Sequence, residues 1–216
     1  MTLRQSFLGQ AWLVLVLALV FGGTLAGVQV GLQDRIEANL RAETLSRIPS
    51  LVLGSEIDPE AEIVMTEDRL EVGLVDGSTL EMRVEEQELS GHQVFDVFAA
   101  ESEERLGWVA RGAGQGYADQ IEILVGLRPD MAEITGLYVL SQKETPALGD
   151  GITKEPFRDR FEGIPADRPL EVARDETAAA ADTNRILALT AATISTQSVC
   201  DIVNRTVADI RPEIAQ

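Results

Sequence analysis

The first hydrophobic feature of the chain is a long apolar run near its amino terminus. No residue between Arg4 and Asp34 is charged, and residues 11–30 are mostly Leu, Val, Ala and Gly. A helix crosses the hydrocarbon layer with about 20 such residues, whereas a secretory signal has an apolar core of roughly 7–15. The run therefore predicts an uncleaved transmembrane helix over residues 10–32, after a short cytoplasmic terminus of residues 1–9.

Charge beside this run gives its orientation only a slight bias. Arg4 precedes it, and acidic and basic residues both follow it. The short amino-terminal side is expected to stay in the cytoplasm, which places the rest of the chain on the extracytoplasmic side. Apolar residues at helical spacing then predict a helical connector over residues 33–50, ended by Pro49. These positions are Ile36, Leu40, Leu45 and Ile48.

Residues 51–110 have the alternation of short strands separated by turns, and we predict them to be the amino-terminal part of the extracytoplasmic domain. The segments 70–75 and 80–84 flank Asp76-Gly77, which is a strong hairpin signal. Further apolar segments cover 94–98 and 106–110. His92 follows Ser90-Gly91 in a predicted turn and is expected to be a solvated loop residue.

Residues 111–212 begin with a glycine-rich stretch. Residues 111–117 lack the Lys-Ser/Thr ending of a phosphate-binding P-loop, so a flexible connection between strands is predicted. Two strong strands follow, at 121–125 and 134–140, and weaker strands are predicted at 170–173 and 185–189. Helical spacing returns over residues 152–161.

The last helix is predicted from five apolar residues at spacings i, i+3, i+4, i+8 and i+11, and it begins near Ser195. The residues are Val199, Ile202, Val203, Val207 and Ile210. Small residues and hydroxyls precede this start. Free amides and the positive end of the helix dipole suit a phosphate group there. The alternative is that Ser195 or Thr196 only caps the helix.

Composition limits the chemistry that the chain can support. A net charge of −18 over 216 residues argues against nucleic acid or an anionic membrane surface as a partner. With one cysteine and one histidine, the chain cannot build an internal disulfide, a Cys-ligated iron–sulfur cluster, or a conventional zinc or haem site alone. Redox chemistry would need an organic cofactor. Cys200 is predicted to be a buried apolar residue.

Two separated motifs resemble one known family. Residues 141–150, Ser-Gln-Lys-Glu-Thr-Pro-Ala-Leu-Gly-Asp, look like its "HKETPGLGD" segment, and residues 190–195, Thr-Ala-Ala-Thr-Ile-Ser, are similar to its "S/T-G-A-T-I/L-T" segment. This is the FMN-binding domain family of the G subunit of Rnf-type ferredoxin:NAD oxidoreductases. The C subunit of sodium-translocating NADH:quinone reductases carries the same domain. Order and spacing of the motifs agree, and Gly116-Tyr117 resembles the family's lead-in to the first motif.

The resemblance implies a covalent cofactor. In the family, a separate flavin transferase esterifies the last threonine of the second motif to the ribityl phosphate of FMN, and that position is Thr193. Glu144 and Thr145 are implied to contact the isoalloxazine ring, with Leu148 and Gly149 shaping that wall. The remaining implied cofactor-binding residues surround the attachment point: Thr190, Ala192, Ile194 and Ser195.

The resemblance also implies fold and role. The expected fold is α+β: one transmembrane helix, then an extracytoplasmic domain with an antiparallel sheet and flanking helices, its FMN-binding part over residues 111–212. The chain is expected to be an electron-carrying subunit in the cell inner membrane, beside other membrane and iron–sulfur subunits of the complex. Since nothing in it binds ferredoxin or NAD, we expect no independent turnover.

Departures from the family pattern motivate a second hypothesis. Ala147 and Ala191 stand where the family has glycine, Gln142 replaces a histidine, and Leu187 stands where an acidic residue is frequent. The alternative is a structural or docking subunit of such a complex that holds no flavin. An extracytoplasmic ligand sensor ranks last, because no signalling domain is recognised.

Overall fold

The computed structural model describes residues 7–58, 62–66 and 69–214, which fall into two compact units, Met1–Glu43 and Thr44–Gln216. A helix, α1 (Phe7–Leu53), begins in the first unit and ends in the second. The apolar side chains from Trp12 to Leu32 are exposed. By length and composition this part of α1 could cross a membrane, as the apolar run predicts.

The second unit is built on an eight-stranded sheet in which every strand pairs antiparallel with its neighbours in the sequence, as the α+β prediction requires. The predicted Asp76-Gly77 hairpin is confirmed, with Gly77 at φ 84°. The strands are β1 (Val64–Met65), β2 (Arg69–Gly73), β3 (Thr79–Leu89), β4 (His92–Ala99), β5 (Arg105–Gln115), β6 (Gln120–Leu127), β7 (Glu133–Ser141) and β8 (Ile164–Pro165).

Short elements follow β7 and lead to the final helix. A 3-10 turn (Gly149–Thr153), α2 (Glu155–Arg158) and a second 3-10 turn (Asp159–Phe161) replace the single helix expected over 152–161. Past β8, β9 (Glu171–Ala173) and β10 (Arg185–Leu187) form a separate parallel pair around α3 (Glu176–Ala180). The chain then enters α4 (Thr193–Ile214), two residues earlier than expected.

Alternating residues of the central strands feed two hydrophobic cores. In β4 and β5, Val94 and Trp108 belong to one core, while Phe95 and Val109 belong to the other. The first core includes the buried face of α4, and all five residues that predict this helix lie in it. The second core includes Ile48, Leu51 and Val52 from the end of α1. Both faces of the sheet are therefore covered by helix.

The glycine-rich stretch is part of strand β5, so the prediction of a flexible connection is wrong. A Cβ atom on Gly112 would lie 2.9 Å from Ile202 Cγ2, and one on Gly114 would lie 2.6 Å from Ile202 Cγ1. The glycines are required because α4 crosses the strand at close range. The glycines that we interpreted as a sign of a flexible connection are instead needed for close packing between β5 and α4.

Pro49 does not end α1, which continues to Leu53. Leu51 and Val52, both buried, lie beyond the proline, and the hydroxyl of Thr135 donates a hydrogen bond to the Leu51 carbonyl. Packing on the sheet and this acceptor contact hold the last turn in place despite the amide that proline lacks.

His92 is not a solvated loop residue. It is the first residue of β4, with its side chain only 13% exposed. Its Nδ1 lies 3.1 Å from the Arg111 carbonyl and its Nε2 lies 3.1 Å from Asp209 Oδ2. The ring therefore links the start of β4 to β5 and α4. Cys200 is buried as predicted.

Candidate functional site

The two motifs meet at the carboxylate of Glu144, which is 5% exposed. The Ser195 hydroxyl in the first turn of α4 donates to Glu144 Oε2 at 2.7 Å. The Ala118 amide donates to Glu144 Oε1 at 3.1 Å. One buried side chain therefore joins three segments: the turn after β5, the first motif and the start of α4.

Two glycines make room for this carboxylate. A Cβ atom on Gly149 would lie 2.8 Å from both Glu144 Oε2 and Ser195 Oγ. A Cβ on Gly116 would collide with Glu144 Oε1 and would come within 2.7 Å of the Asp119 carbonyl. The turn after β5 and the loop of the first motif can approach the Glu144 carboxylate only because these positions have no side chain.

A tight turn delivers the chain to α4. The Ala192 amide donates to the Leu189 carbonyl at 3.0 Å, and Ala191, the third residue of this turn, has φ 62°. The buried Thr196 hydroxyl closes the turn, since it accepts from the Leu189 amide and donates to the Ala192 carbonyl, each at 3.1 Å. Ala191 thus adopts a left-handed conformation that favours glycine, the family residue at this position.

The start of α4 is open to solvent. Thr193 is its first residue and is exposed, and Ala192 before it has no side chain that could cap the helix. Within the described part of the chain, no hydrogen bond engages the amides of Thr193, Ile194 or Ser195, whereas the Thr196 amide bonds to the Ala192 carbonyl. Neither Ser195 nor Thr196 is the cap, because both lie inside the first turn.

Exposed apolar side chains lie on the three segments that Glu144 joins. Ile194 is 57% exposed on α4, and Leu148 is 45% exposed in the loop of the first motif. Tyr117, 64% exposed, is next to the Ala118 amide that binds Glu144, and sequence reasoning had not included it in the site. The only signal that could have found it is the position of Gly116-Tyr117 before the β6 strand.

The loop of the first motif is closed by backbone bonds. The Thr145 carbonyl accepts from the Leu148 amide at 3.1 Å and from the Asp150 amide at 3.3 Å. Thr145 is itself exposed, and Ala147 has φ 62°, again where the family has glycine. Lys143 Nζ lies 2.9 Å from Asp119 Oδ2, and this hydrogen bond holds the pKa of Asp119 below its usual range.

Among the residues that the structure describes, no group of three or more His, Cys, Asp or Glu side chains could hold a metal ion. The site instead combines free helix amides, an exposed hydroxyl and exposed apolar side chains. The family model that matches residues 116–208 is that of the FMN-binding domain.

Curated relatives match about half of this chain. The G subunit of the proton-translocating ferredoxin:NAD(+) oxidoreductase complex from Clostridium ljungdahlii is 32% identical over 116 residues, which are 53% of this chain and 60% of the relative. The G subunit of an ion-translocating oxidoreductase complex from Aliivibrio fischeri is 39% identical over 98 residues, 44% of each chain. The chain thus matches about half the length of these relatives.

Two solved structures are distant likenesses. NqrC of Shewanella oneidensis has a TM-score of 0.48 at 22% identity, over 57% of this chain and 61% of that chain. The C subunit of the Na(+)-translocating NADH-quinone reductase from Parabacteroides distasonis has a TM-score of 0.49 at 14% identity, over 84% of this chain and 97% of that chain.

Proposed function

We propose that the chain is the electron-carrying subunit of a membrane-bound, ion-translocating oxidoreductase complex of the Rnf type. Its FMN would be joined by a phosphoester to Thr193. The observation that carries the proposal is the hydrogen bond between Ser195 and Glu144, which brings the two motifs together beside the exposed Thr193 hydroxyl. The names of the relatives support the class of complex.

The start of α4 fits the phosphate of the cofactor. The free amides of Thr193, Ile194 and Ser195 and the positive end of the helix dipole would face an anion attached at Thr193. The first turn of α4 contains no acidic residue of its own, and the Glu144 carboxylate contacts it from the buried side. A chain of net charge −18 repels phosphate in general, so this local geometry is what would retain it.

The surface beside the helix start fits the flavin ring. The isoalloxazine is a flat, largely apolar group, and Tyr117, Leu148 and Ile194 are exposed apolar side chains on the three segments around Glu144. Thr145 and Gly149 lie in the same loop. Thr190 and Ala192 shape the turn before Thr193. We retain these residues as the proposed binding surface.

When bound, FMN would supply the one-electron chemistry, and the protein would hold and orient it. Formation of the phosphoester makes a bond between Thr193 Oγ and phosphorus, with loss of the hydroxyl proton. The flavin transferase must use a flavin nucleotide already activated at that phosphate, so that the bond from phosphorus to the leaving group breaks as the bond to Thr193 Oγ forms, and the leaving group departs with that bond's electron pair. Covalent attachment would keep the flavin on the protein in an aqueous compartment.

The apolar part of α1 indicates where the protein is located and which partners it needs. We propose that α1 spans the cell inner membrane and that the FMN-binding domain lies on its extracytoplasmic side. Other membrane and iron–sulfur subunits would deliver and remove electrons and carry the ion path, since the apolar part of α1 has no charged residue. The chain alone should therefore show no turnover with ferredoxin or NAD.

Denaturing electrophoresis under ultraviolet light tests the attachment, with protein from the native host or co-expressed with a flavin transferase. We expect flavin fluorescence that survives denaturation, disappears in Thr193→Ala and persists in Thr177→Ala. Thr177 is the control because it is an exposed threonine in α3, outside the proposed binding surface. A dark wild-type band with an unmodified Thr193 peptide would reject the carrier and support the structural or docking subunit.

A further inference from the structure

We propose that Glu144 is a positioning residue, whose buried carboxylate fixes the first turn of α4 so that the Thr193 hydroxyl points outward. The family resemblance implies a different role, a contact with the flavin ring. In the structure each carboxylate oxygen instead accepts a hydrogen bond from another segment of the chain. The part of this inference that concerns flavin attachment rests on the proposed function.

The geometry of the helix couples Ser195 to Thr193. Successive residues of an α-helix are rotated by about 100°, so side chains two positions apart point in nearly opposite directions. Ser195 is held inward by Glu144, 2.7 Å from its hydroxyl, and is 2% exposed. Thr193 must then face solvent, where a transferase could reach it. A rotation of the first turn of α4 would bury the Thr193 hydroxyl and expose the Ser195 hydroxyl.

The carboxylate is held without a cation. Among the described residues no Lys or Arg forms an ion pair with Glu144, and the neighbouring Lys143 binds Asp119 instead. Its charge is compensated by the two donors and by the positive end of α4. Glu144 on the inner side and a phosphate on the outer side would therefore both rely on the same helix start.

Substitution of the hydrogen-bonding group tests this role in the full chain. Glu144→Ala removes both acceptors, and we expect flavin transfer to Thr193 to slow by about tenfold or more, because small displacements of a reacting group have large effects on rate. Glu144→Gln keeps one acceptor for Ala118 and a side-chain amide that can bond Ser195 Oγ, so its rate should stay within about twofold of wild type. Ser195→Ala should resemble Glu144→Ala.

A destabilised control separates positioning from stability. The Asn204 side chain ties the middle of α4 to Leu170: its Oδ1 accepts from the Leu170 amide at 2.7 Å and its Nδ2 donates to the Leu170 carbonyl at 3.0 Å. Asn204 lies nine residues along α4 from Ser195, the residue that contacts Glu144. Asn204→Ala should lower the melting temperature and leave the flavin transfer rate unchanged at a temperature where all variants are folded. Equal slowing in Asn204→Ala and Glu144→Ala would overturn the proposal.

Hydrogen exchange provides a readout that needs no flavin. In Glu144→Ala we expect the amide of Ala118 and those of residues 196–198 to exchange about tenfold faster or more, while Glu144→Gln and Asn204→Ala keep them protected. Unchanged exchange in a folded Glu144→Ala protein would overturn the positioning role. If wild type carries no flavin, the proposed function fails and this exchange experiment still decides the inference.

Discussion

The two helices that cover opposite faces of the sheet are anchored in different ways. The end of α1 is held by apolar packing of Ile48, Leu51 and Val52, and its Leu51 carbonyl accepts from the Thr135 hydroxyl. The start of α4 is held by hydroxyls. Ser195 and Thr196 point inward and bond to other segments, while the helix amides beside them stay free.

This difference separates a helix end whose backbone groups are satisfied within the protein from the one where we propose that a ligand binds. At the end of α1 a backbone acceptor is satisfied from within the protein, so that helix end needs no outside partner. At the start of α4 the inner side is satisfied and the outer side is left to solvent or to an anion. The same fold therefore keeps one helix end closed and the other open.

The largest effect that we expect concerns Cys200 on the buried face of α4. Burial raises the pKa of the Cys200 thiol from 9.0 to about 12. Thiolate is the reactive form, so alkylation of the folded protein at pH 8 should be about a thousandfold slower than in urea. Mass spectrometry measures this without interference, because Cys200 is the only cysteine.

The raised pKa of Cys200 also makes the stability of the folded protein depend on pH. Since the pKa of Cys200 is higher in the folded protein, ionisation favours the unfolded chain, and stability should fall as the pH rises from 9.0 towards 12. Cys200→Ala should weaken this alkaline loss. If the native and the unfolded protein were alkylated at similar rates, this face of α4 would not be buried.

The next effect is on the end of α1. Ile48→Ala removes a fully buried side chain from the second core and should lower the free energy of unfolding by about 2–5 kcal/mol. Denaturant titration of the full chain in detergent measures this loss. Ile36→Ala is the control, because Ile36 is exposed. Flavin attachment in folded Ile48→Ala protein should be unchanged; a specific loss of attachment would contradict the division between the two helix ends.

A smaller effect is expected at the turn before α4. Thr196→Val keeps the side-chain shape but removes the acceptor of the Leu189 amide and a donor to Ala192, and it should destabilise the domain by about 1–3 kcal/mol. The exposed Thr190→Val should change stability by less than about 0.5 kcal/mol. Thermal unfolding compares the two, and equal stability would show that the Thr196 hydroxyl does not hold the turn.

The smallest effect is a gain. Ala191→Gly relieves a left-handed conformation and should raise stability by up to about 1 kcal/mol, and Ala147→Gly should act in the same direction. Ala192→Gly is the control, because Ala192 does not have a positive φ. This substitution should lower the stability of the protein by about 0.5–1 kcal/mol. If Ala191→Gly destabilised the protein as Ala192→Gly does, this turn would not be strained.

The spacing of apolar residues was by itself enough to predict most of the elements of the fold. The apolar run, the strands β6 and β7 and the buried face of α4 were predicted from spacing, because burial selects side chains at the period of each element. The two motifs indicated the proposed flavin site by resemblance, and the structure brings them together through Glu144 and Ser195. These features depend on residues close in sequence or on a recognisable pattern.

Tertiary contacts decided the rest. Pro49 stands inside a helix because the turn beyond it packs on the sheet, and Gly112 belongs to a strand because α4 crosses there. The inward turn of the Glu144 carboxylate also depends on Ala118 and Ser195, which lie 26 and 51 residues away. Local preference cannot reveal such choices, because the stabilising partner comes from a distant part of the chain and is absent until the fold has formed.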